Sequence, residues 1–190
     1  FGQAVCISDN YVVIGAPFDD DDGSGSGSVY VFEKPVSEWT DTTETAKLTA
    51  DDAYSNDYFG FNVETNNDIV IIGAYNEGTN GMSSGAAYIF EKPAGGWTDT
   101  TQNAKILASN GDTWDYFGKS VAVSGNNIII GAFKNSEAGY YAGSAYIFEK
   151  PAGGWTDTTE SLIVPPLPYL HNTREEFGKS VAVSGNFAVV

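Results

Sequence analysis

The fifteen residues AYIFEKPAGGWTDTT stand at Ala87–Thr101 and again, letter for letter, at Ala145–Thr159. A catalytic motif serves one site and is normally present once. A block copied intact 58 residues downstream reads instead as the body of a repeated structural unit, and such a period governs every local reading. Working outward, Phe-Gly pairs recur at Phe1-Gly2, Phe59-Gly60, Phe117-Gly118 and Phe177-Gly178. Gly-Ala follows at Gly15-Ala16, Gly73-Ala74 and Gly131-Ala132, and tryptophan at Trp39, Trp97 and Trp155. The register divides residues 1–190 into units 1–58, 59–116 and 117–176 and an incomplete unit 177–190.

Each unit holds four strand-like runs. SVAVSG (120–125) and NIIIGA (127–132) flank a Gly-Asn pair, a tight-turn signal between two apolar runs. A Gly/Ser-rich loop leads to SAYIFEK (144–150), Pro-Ala-Gly-Gly turns the chain, and a more polar fourth run follows, as in NAKILAS (103–109). Val, Ile, Tyr and Phe dominate, with no helical period. The first two runs are apolar almost throughout, as expected of strands covered on both faces.

These features predict an all-β chain of β-propeller blades, each of four antiparallel strands packed face to face on the next. Three units cannot close a ring of four to eight blades, so an open arc of about three blades, a partial propeller, is expected. The strands of 177–190 should dock on the last full blade. Tyr88, Phe90 and Trp97, with Tyr146, Phe148 and Trp155, would supply aromatic contacts between blades, and the glycine of each Phe-Gly pair would let neighbouring backbones approach.

Composition narrows the partners. The net charge of −16 disfavours nucleic acid and anionic membranes, which require clustered Lys and Arg. No apolar run approaches a membrane span, so direct membrane insertion is not expected. A single cysteine, Cys6, excludes an internal disulfide and leaves the compartment open.

FGKSVAVSGNNIIIGA and FGQAVCISDNYVVIGAP resemble the FG-GAP repeat, the blade unit of integrin α-subunit propellers and of many bacterial secreted proteins. KLTADD at 47–52 matches the bacterial form. The resemblance implies about seven units in the intact protein, with the remaining blades as partners, and an extracellular or cell-surface location. Many such blades carry an Asp-x-Asp-x-Asp-Gly calcium loop between their first two strands. Here that position holds only SDN (8–10), NND (66–68) and SGN (124–126, 184–186), too short for calcium's six or more oxygens. The family's metal residues are not carried over.

Among candidate chemistry, the densest cluster is DDDDGSGSGS, with Asp19, Asp20, Asp21 and Asp22. Aligned on Gly23, Asp20 and Asp22 match a calcium loop, but Phe18 replaces its first ligand. A weak calcium site and a solvated acidic loop both stand. His171 reads as a loop histidine or a general base, and Cys6 as a small buried residue or a reactive thiol. Glu64 sits among apolar neighbours, where either the strand end frays to water or the carboxylate makes a polar contact in the seam between blades. Asp57, Asp115 and Glu175 recur two residues before each Phe-Gly phenylalanine, which favours a turn-stabilising hydrogen bond. No catalytic residues are assigned.

The loops 17–28, 51–58, 75–85, 109–116, 133–143 and 165–176 vary between units, while the turns at the other strand ends do not. Variable loops on a constant scaffold are where binding usually resides, so these six are expected on one face. Trp114, Tyr140, Tyr141 and Tyr169 would add exposed aromatics suited to protein or carbohydrate ligands. The leading expectation is a non-catalytic binding or adhesion module. The alternatives are the propeller portion of a larger secreted enzyme (a polysaccharide-active hydrolase or lyase) and a structural spacer.

Overall fold

The computed structural model describes residues 1–36, 39, 41–166 and 175–190. Among these every regular element is a β-strand. The first sheet orders β1 (Ala4–Ile7), β2 (Tyr11–Ala16), β3 (Ser28–Glu33) and β4 (Ala46–Leu48). The second orders β5 (Asn62–Thr65), β6 (Ile69–Ala74), β7 (Ala86–Glu91) and β8 (Ala104–Ile106). The third orders β9 (Phe117–Ser124), β10 (Asn127–Ala132), β11 (Ser144–Glu149) and β12 (Leu162–Val164). A last antiparallel pair, β13 (Ala182–Ser184) and β14 (Phe187–Val189), forms its own ribbon. All pairings within sheets are antiparallel between sequence neighbours. The molecule is an open arc of three four-stranded propeller blades.

Blade faces alternate as the strand period demands. Val70, Ile72, Tyr88 and Phe90 of the second blade pack on Val13, Val29, Val31 and Leu48 of the first. Their sequence neighbours Ile71 and Ile89 face the other way, onto Val121, Ile128, Ile130, Tyr146 and Phe148 of the third blade. Burial on both faces explains the unbroken apolar run of β6. Val181 and Val183 cover Ile129 and Ala145 of the third blade, so the β13–β14 ribbon docks as expected.

Phe59 anchors the second blade, with its ring 5.3 Å from Tyr88 and 6.0 Å from Phe90. Phe117 repeats this against Tyr146 and Phe148. Trp97 is buried and meets Tyr11 of the preceding blade edge-on. Trp155 is buried too, whereas Trp39, on the uncovered face of the first blade, is 42% exposed.

The glycines meet in pairs. A Cβ added to Gly73 would overlap the carbonyl of Gly118 in the next blade, and one at Gly118 would overlap the carbonyl of Ala86. Gly118 also has φ +83, where side chains are strained. The Gly-Ala glycine of one blade thus receives the Phe-Gly glycine of the next.

The fourth strands are shorter than the polar runs that encode them. Their outer edges meet the repeated WTDTT of the next unit. Asp99 accepts a hydrogen bond from the Lys47 N–H at 2.8 Å, and Asp157 from the Lys105 N–H at 2.9 Å. The segments after Trp97 and Trp155 therefore cross the outer edge of the preceding blade. They occupy donors that an open edge would offer to another chain.

Candidate functional site

The variable loops are knitted together by main-chain bonds. Asn56 and Tyr58 N–H groups donate to Ser24 and Gly25 carbonyls, Trp114 and Tyr116 to Met82 and Ser83, and Glu176 to Tyr141. Isolated parallel bridges finish each clasp, at Gly27–Phe59, Gly85–Phe117 and Gly143–Phe177. Among the described residues, the stretch before each Phe-Gly pair thus lies along the loop between the second and third strands of the blade before it. The turn bends sharply, and Tyr58, Trp114, Tyr116 and Tyr141 all adopt positive φ. Such conformations cost about 1–3 kcal/mol each for residues with side chains, here offset by the clasp hydrogen bonds.

Asp57 and Asp115 hold these turns. Their carboxylates accept from the N–H groups of Tyr54 and Asp112, each at 2.9 Å. Asp115 also accepts from the Asn135 amide at 2.8 Å. Burial pushes Asp57 up to about 6 and raises Asp115 as well.

The strained turns carry a chain of rings across all three blades. Phe18 meets Tyr58 at 5.4 Å, Tyr58 meets Tyr75 at 5.7 Å, Tyr75 meets Tyr116 at 5.4 Å, and Tyr116 stacks on Phe133 at 5.6 Å. Trp114 joins edge-on at Tyr116, and Tyr140 stacks on Tyr141 at 4.1 Å. Two lysines sit among the rings. Lys119 Nζ lies 3.4 Å from the Phe61 centroid and 3.6 Å from that of Tyr75. Lys134 Nζ lies 4.4 Å from Tyr116 and 5.3 Å from Tyr141. Burial, then the Lys134 charge, lowers Lys119 to about 8.

The sequence reading named Trp114, Tyr140 and Tyr141, and the structure links them through Tyr116 and Lys134. It missed Tyr58, Tyr75, Tyr116, Phe133 and both lysines. A signal was present, since Tyr58 and Tyr116 precede Phe-Gly pairs, and Tyr75 and Phe133 follow Gly-Ala.

Asp19, Asp20, Asp21 and Asp22 lie in the first blade's loop, between β2 and β3. Asp19 accepts from the Tyr30 hydroxyl at 2.7 Å and pairs with Lys47, which also pairs with Asp21. Asp20 accepts from the Gly25 N–H at 2.7 Å. Burial alone would raise Asp19, but the Tyr30 hydrogen bond and Lys47 hold it below its usual range. The arrangement recurs one unit on, where Glu77 pairs with Lys105, so Asp19 anchors its loop as Glu77 does. Among the described residues, no three His, Cys, Asp or Glu side chains converge as a metal ion requires.

The FG-GAP repeat model matches residues 1–32, 42–90 and 100–148. The chain belongs to the FG-GAP repeat family. No curated protein matches it significantly. A solved structure similar to it is the computationally designed Ika8 protein, at 15% identity and a TM-score of 0.41, covering 77% of this chain. The chain spans 32% of that protein's length.

FG-GAP repeat domains are typically non-catalytic. Two residues noted in the sequence, Tyr169 and His171, fall outside the described residues. Cys6 is buried, and burial, with Glu64 second, pushes its thiol up to about 12. Glu64 corrects one expectation, because the strand does not fray there. β5 continues through it in register with Ile71. Its half-buried carboxylate, raised by burial, lines the concave opening of the arc, an open cavity of about 430 Å³ shared with Lys119 and Lys179.

Proposed function

We propose that this FG-GAP arc is a non-catalytic binding module of a secreted or cell-surface protein, and that its loop face takes the ligand. The supporting observation is the ring-and-lysine track from Phe18 to Tyr141. Aromatic surface held on strained turns costs stability, and its retention on the face where the loops vary is what binding requires. The opposite face carries short hairpins such as Gly125-Asn126 and, among the described residues, a smaller cluster in which Lys92 lies over Tyr11 and Tyr11 meets Trp97. The ligand is a protein or a carbohydrate, met by Trp114, Tyr140 and Tyr141 at one end and the Asp19 to Asp22 loop at the other.

The test is binding to an immobilised panel of glycans and extracellular proteins. A Trp114→Ala, Tyr140→Ala variant should lose at least tenfold in affinity for whatever the wild type captures. Substitution of Asn126 on the opposite face should leave capture unchanged. The reverse pattern would place binding elsewhere and sink the proposal.

A further inference from the structure

The clasp between the first two blades and the clasp between the second and third are built alike except at one atom. Positions 57 and 77 of the first correspond to 115 and 135 of the second, 58 residues on. In the second clasp Asn135 Oδ1 accepts the Glu137 N–H at 3.3 Å, and Asn135 Nδ2 donates to Asp115 Oδ2 at 2.8 Å. In the first, Glu77 Oε1 accepts at 2.9 Å from the N–H of Thr79, the residue equivalent to Glu137. Glu77 Oε2 is thereby left in the place of the donating amide, on the side of Asp57. Adjoining contacts hold the two segments together, since the Asn76 amide donates to the Asn56 carbonyl at 2.6 Å and Tyr58 meets Tyr75 at 5.7 Å. Glu77 is 7% exposed, and its Oε2 is buried with no hydrogen-bond partner among the described residues. Leaving such an oxygen unmatched costs desolvation that no hydrogen bond returns. Relative to the second clasp, the first lacks one hydrogen.

We infer that Asp57 supplies this hydrogen: its protonated carboxyl donates to Glu77 Oε2, so that a proton closes the first clasp and its loss opens it. The surrounding charges agree. Lys105, from β8, pairs with Glu77 at 3.1 Å and also with Asp52, which lies in the loop after β4. Asp52 accepts in turn from the Tyr88 hydroxyl of β7 at 3.0 Å. That ammonium group is thus committed to two carboxylates, and Asp57 is the third. Burial lifts Asp57 to about 6, with the Tyr54 N–H opposing and the Glu77 and Asp52 charges adding to the rise. A metal ion suits the place less well, because Lys105 already stands there and, among the described residues, no three acidic side chains converge. When Asp57 ionises, two buried carboxylates repel one another. The turn 54–58 then swings out, and Tyr58 leaves the face of Tyr75. The device governs the first-blade end of the ring chain whatever the loop face binds.

Amide hydrogen exchange between pH 5 and pH 7.5, corrected for intrinsic rates, tests this on the wild-type chain. The folded-state value lies above the unfolded one, so protection is full below pH ~4 and is lost as pH rises through about 6. Over the measured range the N–H groups of Asn56 and Tyr58, which donate to Ser24 and Gly25, should lose about tenfold in protection. Those of Trp114 and Tyr116, in the clasp closed by an amide, should lose none. Glu77→Gln offers Asp57 the amide that Asn135 offers Asp115, and should hold the first clasp shut over the whole range. Asn135→Asp should transfer the response to Trp114 and Tyr116. Should the variants fail to fold, ¹³C NMR of the wild-type carboxyl groups supplies the reading. The Asp57 Cγ must then titrate at about 6, together with the Tyr58 ring signals.

Equal losses in the two clasps, or none in either, would overturn the inference. So would a Glu77→Gln chain that opens with pH as wild type does, an Asn135→Asp chain whose second clasp ignores pH, or an Asp57 Cγ that titrates at the ordinary value of about 4. Protection at neutral pH restored by calcium at constant ionic strength would put a metal ion where the proton is placed, and would overturn it as well. Binding assays on the loop face play no part in these outcomes, so the proton-closed clasp and the binding module stand or fall separately.

Discussion

Single residues set how closely the blades can approach. Gly73 and Gly118 face each other across a seam with no room for a methyl group. Gly73→Ala should therefore cost about 3 kcal/mol or more in urea denaturation, since overpacking against backbone cannot be relieved by a rotamer change. Gly95→Ala, at a glycine with nothing nearby, should stay within ~0.5 kcal/mol of wild type. Similar losses from both would contradict the close-approach account. Asp57 gives a second test, through pH. Burial lifts its carboxyl to about 6, so the folded chain keeps a proton that the unfolded chain has released. Its contribution to stability is full below pH ~4 and is lost as pH rises from about 4 to about 6. Asp57→Asn keeps an acceptor for the Tyr54 N–H and removes the titration. Unfolding midpoints measured across that window should depend less on pH in the variant, and a steeper dependence would refute the assignment. The Phe-Gly glycines could be read from sequence because they recur. The Gly-Ala glycines recur as well, but that they receive the Phe-Gly glycines could not be read, since nothing in a one-dimensional register says which positions of successive units touch.

Among elements, the recurring WTDTT segment illustrates what a repeat reveals and what it hides. Its period and its tryptophan announced a surface between blades, and Trp97 and Trp155 are buried there. The aspartate's role stayed hidden, because Asp99 acts 52 residues upstream, on the Lys47 N–H, and a side chain's reach across a seam leaves no periodic trace. The lysine pair was hidden for a related reason. Lys119 stands third in β9 and Lys134 follows β10, and only the fold brings one over Phe61 and Tyr75 and the other over Tyr116 and Tyr141. The strands themselves were legible throughout, since alternation, Gly-Asn turns and β-branched content all agreed. The tryptophans separate packed from uncovered surface. Trp97→Ala should destabilise by about 3–5 kcal/mol, the usual cost of deleting a buried indole. Trp39→Ala, at an equivalent register position on a face that no blade covers, should change stability by ~0.5 kcal/mol or less. Equal effects would mean that the first blade's outer face is covered in solution.

For the whole molecule, both end surfaces follow from stacking. Phe1, Val5 and Ile7 are exposed on the first blade, at positions that in the second blade lie against a neighbour, and Phe187 and Val189 are exposed on the last ribbon. Apolar faces shaped for a blade should meet one another, so the wild-type chain should gain mass with concentration in size-exclusion chromatography with light scattering. Val5→Lys with Ile7→Lys should keep it monomeric. A wild-type monomer that melts cooperatively at every concentration would show that these faces tolerate water. The clasps carry a mechanical consequence of their own. Among the described residues, the stretch before each Phe-Gly pair runs along the loop of the blade before it and is held there by a short row of main-chain bonds. Tension applied to the two chain ends would reach those bonds before the antiparallel ladders within a blade. The arc should then yield stepwise under load, one unit at a time, each event releasing 58 or 60 residues, or about 20 nm of extended chain, so that it lengthens under tension before its remaining blades let go.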